Sequence, residues 1–263
     1  MKKIVWLIFF LSLIISNNKL LAGETKYQAD VVERLGDKIP LDLSFTDSSG
    51  KKILLKNIIN KPTIIDFCYY RCTGICTPLM VELADIVAKS DLKPGKDYDV
   101  LSISIDPNET PAMAMQKKNT IYLVVNKDMP DNAWRFFTGD SLSIAKLTDA
   151  AGFNYVKQRN GYLHKGVLIF VDKNGKICRY LQPGFSNRGG FSILNSDFKM
   201  AVMETSKGKV MATITKVLQT CFSFKPKGKD ALVFSLVFFV GVITISTVLM
   251  IIKKANPSKG NRG

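Results

Sequence analysis

The chain has 263 residues, room for one ordinary domain with flanking segments or for two small domains. It carries 37 Lys and Arg against 22 Asp and Glu, a net charge of +15. Such a charge suits an anionic surface or an acidic partner, the plainer alternative being a lysine-rich solvated surface, and an exported topology disfavours nucleic acid as a partner. Five cysteines are too few to staple a domain of this size, and their odd number prevents complete pairing within the chain, so an apolar core must hold the fold and some thiols are free.

Residues 1–22 open with Lys2 and Lys3, continue through an apolar run from Ile4 to Ser16, and reach Leu20, Leu21 and Ala22. This is the layout of a signal peptide cut after Ala22, or kept as an uncleaved anchor. Residues 23–220 read as the exported domain. Leu41–Phe45 alternates like an edge strand, Asp47–Gly50 turns, and Lys52–Leu55 returns, predicting a hairpin ahead of the main sheet. Pro62–Tyr70 reads as a buried strand. Leu79, Met80, Leu83, Ile86 and Val87 then fall at helical spacing, with Thr77 as cap and Pro78 in the first turn. Lys93–Lys96 ends that helix and Tyr98–Ile105 is a second strong strand, which together predict a βαβ crossover and parallel pairing.

Farther on, Asp106–Pro111 leads into a helix over Ala112–Lys118, and a capped helix covers Ser141–Ala151. Gly166–Val171 and Lys176–Leu181 form a hairpin across Asp172–Gly175, where Asn174-Gly175 is a strong turn signal. Asn195–Ser206 reads as a helix, and Val210–Gln219 as another. The order βαβ, helix, ββ, helix predicts an α/β, thioredoxin-like domain with an N-terminal hairpin extension. Residues 221–230 are a juxtamembrane linker. Residues 231–252 carry no charge and suffice to cross a bilayer core of about 30 Å, giving a C-terminal transmembrane helix. The basic tail, 253–263, places the C-terminus in the cytoplasm and the domain on the periplasmic, extracytoplasmic side of the cytoplasmic membrane.

The chemistry concentrates where the buried strand meets its helix. Cys72 and Cys76 stand with three residues between them, Gly74 allows a tight turn, and Arg71 adds a cation. The helix dipole beside Cys76 favours a thiolate there. Two thiols at this spacing either close into a disulfide or face each other across a soft metal ion; a structural disulfide is the plainer alternative. His164, the single histidine, stands before the third strong strand, which neighbours the cysteine strand in a thioredoxin-like sheet. Two thiolates and an imidazole suit copper and, on donor grounds, zinc; the plainer alternative is an ordinary surface or core histidine. Cys68 reads as a small buried apolar residue and Cys178 as packed on the hairpin, while Cys221 is open to an intermolecular bridge. Asp66, inside an apolar strand, is either an outward-facing residue or a buried acid assisting redox chemistry.

Cys72-x-x-x-Cys76-x-Pro78 on a strand–helix turn, Ser104-Ile105-Asp106-Pro107, and His164 before a hairpin together resemble the Sco/SenC copper-chaperone family. Tyr69–Pro78, Trp134–Gly139, Arg179–Leu181 and Cys221–Pro226 are similar to a bacterial branch with a C-terminal membrane helix, and the resemblance runs from Val31 to the end. It implies a thioredoxin fold outside the cytoplasmic membrane that binds copper, as Cu(I) or Cu(II), through Cys72, Cys76 and His164. The implied role is assembly of the dinuclear copper site of cytochrome c oxidase. The implied partners are that oxidase's copper-site subunit and another copper carrier or thiol reductant. Delivering copper and reducing the subunit's cysteines through a redox-active Cys72–Cys76 disulfide are the alternative actions. The second makes the chain a thiol–disulfide oxidoreductase. Thr73 stands where many members have Pro, and Leu163 where other branches have Asp, which removes a partner for the imidazole.

Overall fold

The computed structural model describes residues 29–125, 129–185 and 190–212. The leader, the linker with Cys221, the apolar stretch 231–252 and the basic tail lie outside the described residues, as does most of the helix expected over Val210–Gln219. Among the described residues no helix is long and apolar enough to cross a membrane.

Strand β3, Thr63–Cys68, is buried along its whole length. Its side chains alternate between two cores, Ile64 and Cys68 on one face of the sheet and Ile65 and Phe67 on the other. The strands around it are β1 (Ser44–Asp47), β2 (Lys52–Leu54), β4 (Asp99–Ser104), β5 (Trp134–Thr138), β8 (Leu168–Val171) and β9 (Ile177–Leu181). They form one seven-stranded sheet in the order β2-β1-β5-β4-β3-β8-β9. β3 pairs parallel with β4 and antiparallel with β8, so the expected crossover and the expected neighbour of the cysteine strand are both present. The N-terminal hairpin forms, but it is not a separate piece. Phe45 is buried, and β1 pairs with β5, making the hairpin one edge of the main sheet.

Helices α1 (Cys76–Lys89), α2 (Pro111–Val125) and α4 (Asn195–Ser206) contribute to the first core, and α3 (Ser141–Ala150) with the N-terminal lead-in to the second. In α1, Leu79, Met80, Leu83 and Val87 are fully enclosed, each such side chain contributing roughly 1.5–3 kcal/mol of apolar burial. Asp140 caps α3 through the N–H groups of Leu142 and Ser143. Two short hairpins complete the described domain, β6–β7 (Val156–Gln158 and Gly161–Leu163) and β10–β11 (Gly184–Phe185 and Phe191–Ser192). Val210–Met211 is not helical. Instead, the Met211 N–H donates to the Cys178 carbonyl of β9.

Asp66 does not face solvent: it is 1% exposed. The Ser102 hydroxyl donates to its carboxylate at 3.2 Å, and that hydroxyl accepts from the Trp134 indole N–H at 2.9 Å. Burial raises the acid to about 6 from 3.8, against the opposing Ser102 bond. Below 3.8 the acid is neutral folded and unfolded; as pH rises from there through about 6, stability is lost. The loss at neutral pH is about 3 kcal/mol. Asp66→Asn is therefore expected to raise stability above about pH 7 and to flatten the decline between about pH 4 and 6. Urea unfolding across this range, with a variant that tracks the native profile, would refute the assignment.

Candidate metal and redox site

The cysteine turn begins where β3 ends, and it is tied down by a buried carboxylate from another loop. The Asp106 carboxylate accepts from the Asn108 N–H, forming an Asx turn after Pro107 that returns Glu109 toward the sheet. Glu109 Oε2 accepts from the Tyr70 N–H at 2.7 Å and from the Ser104 hydroxyl at 2.6 Å, while Oε1 accepts from the Arg71 N–H at 2.8 Å. Arg71 pairs with Asp106 at 2.6 Å and stands 3.6 Å from Glu109. Its charge is engaged by these two acids, not offered to the thiols as the sequence suggested. The Tyr70 hydroxyl reaches the carbonyls of Phe137 and Ser102.

Helix α1 starts two residues earlier than expected, with Ile75 and not Thr77 at the cap position. Cys76 is its first residue, after Ile75, and no side chain of the flanking Ile75 caps it. The cap function falls to sulfur. Cys72 Sγ accepts from the Gly74 N–H at 3.3 Å and from the Cys76 N–H at 3.5 Å. Thr77, freed from capping, accepts from Lys117 Nζ at 3.0 Å.

The short hairpin β6–β7 brings His164 to the thiols. Gly161 packs so closely that a Cβ there would stand 2.7 Å from the Tyr69 hydroxyl, and its φ of +143° also favours glycine. Tyr69 and Phe153 flank the imidazole with ring centroids 6.0 and 5.6 Å away. Nδ1 lies 3.0 Å from the Lys165 carbonyl, an acceptor only, so Nδ1 carries the proton. Nε2 is left with its lone pair 3.1 Å from Cys76 Sγ. The donor atoms of Cys72, Cys76 and His164 all lie within 4.8 Å of one another, and all three residues are buried.

Electrostatically the thiols are unequal. Cys72 is pulled down to about 3, chiefly by the hydrogen bond from the Cys76 thiol against burial, with help from the Cys76 N–H and Tyr69. Cys76 is pushed up, first by that same bond and then by burial. The pair thus shares a proton, and Cys72 is the thiolate. This reverses the expectation that the helix dipole would favour Cys76. Cys68 is buried, and burial raises its thiol well above the usual range, fitting an inert packing residue. Cys178 is buried on β9. Glu109 and Tyr69 were not singled out from sequence; the turn signal Asp106-Pro107-Asn108 pointed to the loop, but not to its partner.

These features define a thioredoxin-like α/β domain whose thiol pair, on the strand–helix turn, is joined by an imidazole. A family model described as SCO1/SenC matches residues 33–195, and the chain belongs to that family. The SCO1 protein homolog of Bacillus subtilis (strain 168) is 24% identical over 140 residues, covering 52% of this chain and 69% of that protein. A solved structure from Aquifex aeolicus VF5 superposes with a TM-score of 0.57 at 24% identity, covering 66% of this chain and 95% of that one. BsSco, described with a disulfide switch and as a member of the Sco family of cytochrome c oxidase assembly proteins, has a TM-score of 0.51 at 20% identity, with 68% and 99% covered.

Removing the Glu109 carboxylate leaves two backbone donors and one hydroxyl unpaired. Each hydrogen bond to a charged group contributes roughly 1.5–3 kcal/mol. Glu109→Ala is expected to lower stability by about 3 kcal/mol or more, and Glu109→Gln by less. An unchanged urea midpoint in Glu109→Ala would remove the carboxylate from this role.

Proposed function

We propose that the chain is a copper-binding chaperone on the outer side of the cytoplasmic membrane, anchored through residues 231–252, that assists copper-site assembly in cytochrome c oxidase. The observation that carries the reading is the convergence of two sulfurs and the bare Nε2 within 4.8 Å in a buried setting. Thiolate and imidazole donors suit a soft cation, and Cu(I) is the cargo they fit best. Cys72, Cys76 and His164 are its proposed ligands. Family membership and the role named for BsSco support the oxidase as destination.

In this reading the residues have distinct tasks. Cys72 offers a thiolate, and Cys76 gives up its proton when cargo binds. The Lys165 carbonyl holds the His164 ring with Nε2 inward. The Glu109 bonds fix the turn so that ordering it costs little at the moment of binding. Release proceeds by exchange of these ligands for thiols of the acceptor subunit.

A second reading rests on the inequality of the two thiols. Cys72 attacks a disulfide of the partner and forms a mixed disulfide. Cys76, deprotonated, then attacks Cys72 Sγ and releases the partner as a dithiol. Two electrons leave the chain, a Cys72–Cys76 disulfide remains, and a thiol reductant restores it.

Anaerobic Cu(I) titration of the reduced protein against a chelator of known affinity separates the readings. One equivalent is expected to bind. Cys72→Ser, Cys76→Ser and His164→Ala should each weaken it by more than about 100-fold, beyond the 10–100-fold typical of losing an outer-shell partner. Binding indifferent to His164→Ala sinks the three-ligand site, and disulfide exchange without copper binding establishes the oxidoreductase instead.

A further inference from the structure

The end of the domain opposite the thiols has a character of its own. β3 runs about 17 Å from Thr63 to Cys68, and the cysteine turn follows its far end. At its near end, Lys61 and Pro62 meet the β8–β9 turn and the C-terminal end of α4 around a cleft of about 490 Å³. A neighbouring cleft of about 390 Å³ runs along α4 and shares Lys207 with the first. Three acids nearby are paired, Asp172 with Lys176, Glu204 with Arg179 and Asp91 with Lys199, while Asp37 and Asp197 are in no ion pair among the described residues. Lys173, Lys207 and Lys209 have no ion-pair partner among the described residues. Among them, Met200, Met203, Val210 and Met211 are 37–49% exposed. Exposed methionines lining one cleft with Lys207 and Lys209, next to a second lined by Lys173 and Lys207, match the layered chemistry of a lipid interface, phosphate outside and acyl chain beneath.

The course of the chain names the occupant. Met211 is bonded to β9 at this same end. Residues 213–230 then add Lys216, Lys225, Lys227 and Lys229 before the uncharged stretch 231–252. We propose that this end of the domain docks on an anionic bilayer surface, the lysines on phosphates and the methionines in the headgroup layer, so that Cys72, Cys76 and His164 face away from the membrane. The proposal rests on the reading of 231–252 as a membrane anchor and is independent of what the thiols carry. Each lysine near an anionic surface adds about fivefold to affinity, so the three together are worth about 100-fold.

The full chain, reconstituted in phosphatidylcholine nanodiscs with or without phosphatidylglycerol, would be footprinted by lysine acetylation and methionine oxidation with mass spectrometry. The expected result is protection of Lys173, Lys207, Lys209 and Met203 only with phosphatidylglycerol, reversed by high salt. Lys157, on the β6–β7 hairpin, serves as an unprotected control. In K173E/K207E/K209E the dependence on lipid charge should vanish while unfolding midpoint and copper binding persist. Equal labelling in both lipids overturns the proposal. So does protection that persists in detergent, which would mean that the chain's own C-terminal segment covers the surface. If the full chain fails to co-float with phosphatidylcholine vesicles, the anchor reading fails. Co-flotation with anionic vesicles that charge reversal abolishes would then still support the docking surface.

Discussion

A carboxylate without solvent contact, Glu109, holds the cysteine turn to the sheet. Burying an ionised acid costs several kcal/mol unless its lone pairs are filled, and here two backbone N–H groups, a hydroxyl and a guanidinium surround it. The donors come from the exit of β3 and the last residue of β4, while the acid comes from the loop that enters α2. One side chain therefore joins three segments at the point where the sheet stops and the chemistry begins. The positions of Cys72, of the first N–H groups of α1 and of the imidazole facing Cys76 all follow from a turn that cannot swing. Arg71, two bonds from the same acids, is part of this clamp, which explains why the most obvious cation of the motif takes no part in setting thiol acidity.

Much of this was legible beforehand, for physical reasons. β3 and β4 announce themselves as apolar runs, the β8–β9 turn by Asn174-Gly175, and α4 by spacing that matches Asn195–Ser206 to the residue. The adjacency of β3 and β8 in a thioredoxin-like sheet allows His164 to approach the thiols but leaves an ordinary core histidine open, and the pairing of strands with the 3.1 Å approach to Cys76 decides between them. The β6–β7 hairpin was missed although Asn160-Gly161 carries the same turn signal, because Lys157 and Gln158 give its strands no apolar alternation. Other features are tertiary and have no local signature. The burial of Asp66 depends on Ser102 and Trp134, and the role of Glu109 on a partner 39 residues away. Which thiol is the more acidic turned on the hydrogen bond between the two sulfurs, a contact that sequence spacing does not show.

The sulfurs and the imidazole are 88 residues apart between Cys76 and His164, so the cluster exists only in the folded chain. Anything bound there stabilises the native state and not the unfolded one. The same enclosure separates reactive from inert thiols. Cys68 is four residues from Cys72 on the same segment, yet lies in the sheet core with its proton held by burial, whereas Cys72 lies where N–H groups converge. The fold thus assigns opposite chemistry to neighbouring cysteines by the backbone around them.

The Trp134–Ser102–Asp66 chain of bonds has an optical meaning. Trp134 is the one tryptophan among the described residues, fully enclosed, with its indole N–H on the hydroxyl that in turn serves the acid. When Asp66 gains or loses its proton, the charge at the far end of this chain of bonds changes, and the indole feels it. Its emission is accordingly a built-in fluorescent indicator of the ionisation of the core, readable without a label and buried too deeply for a dissolved quencher to reach.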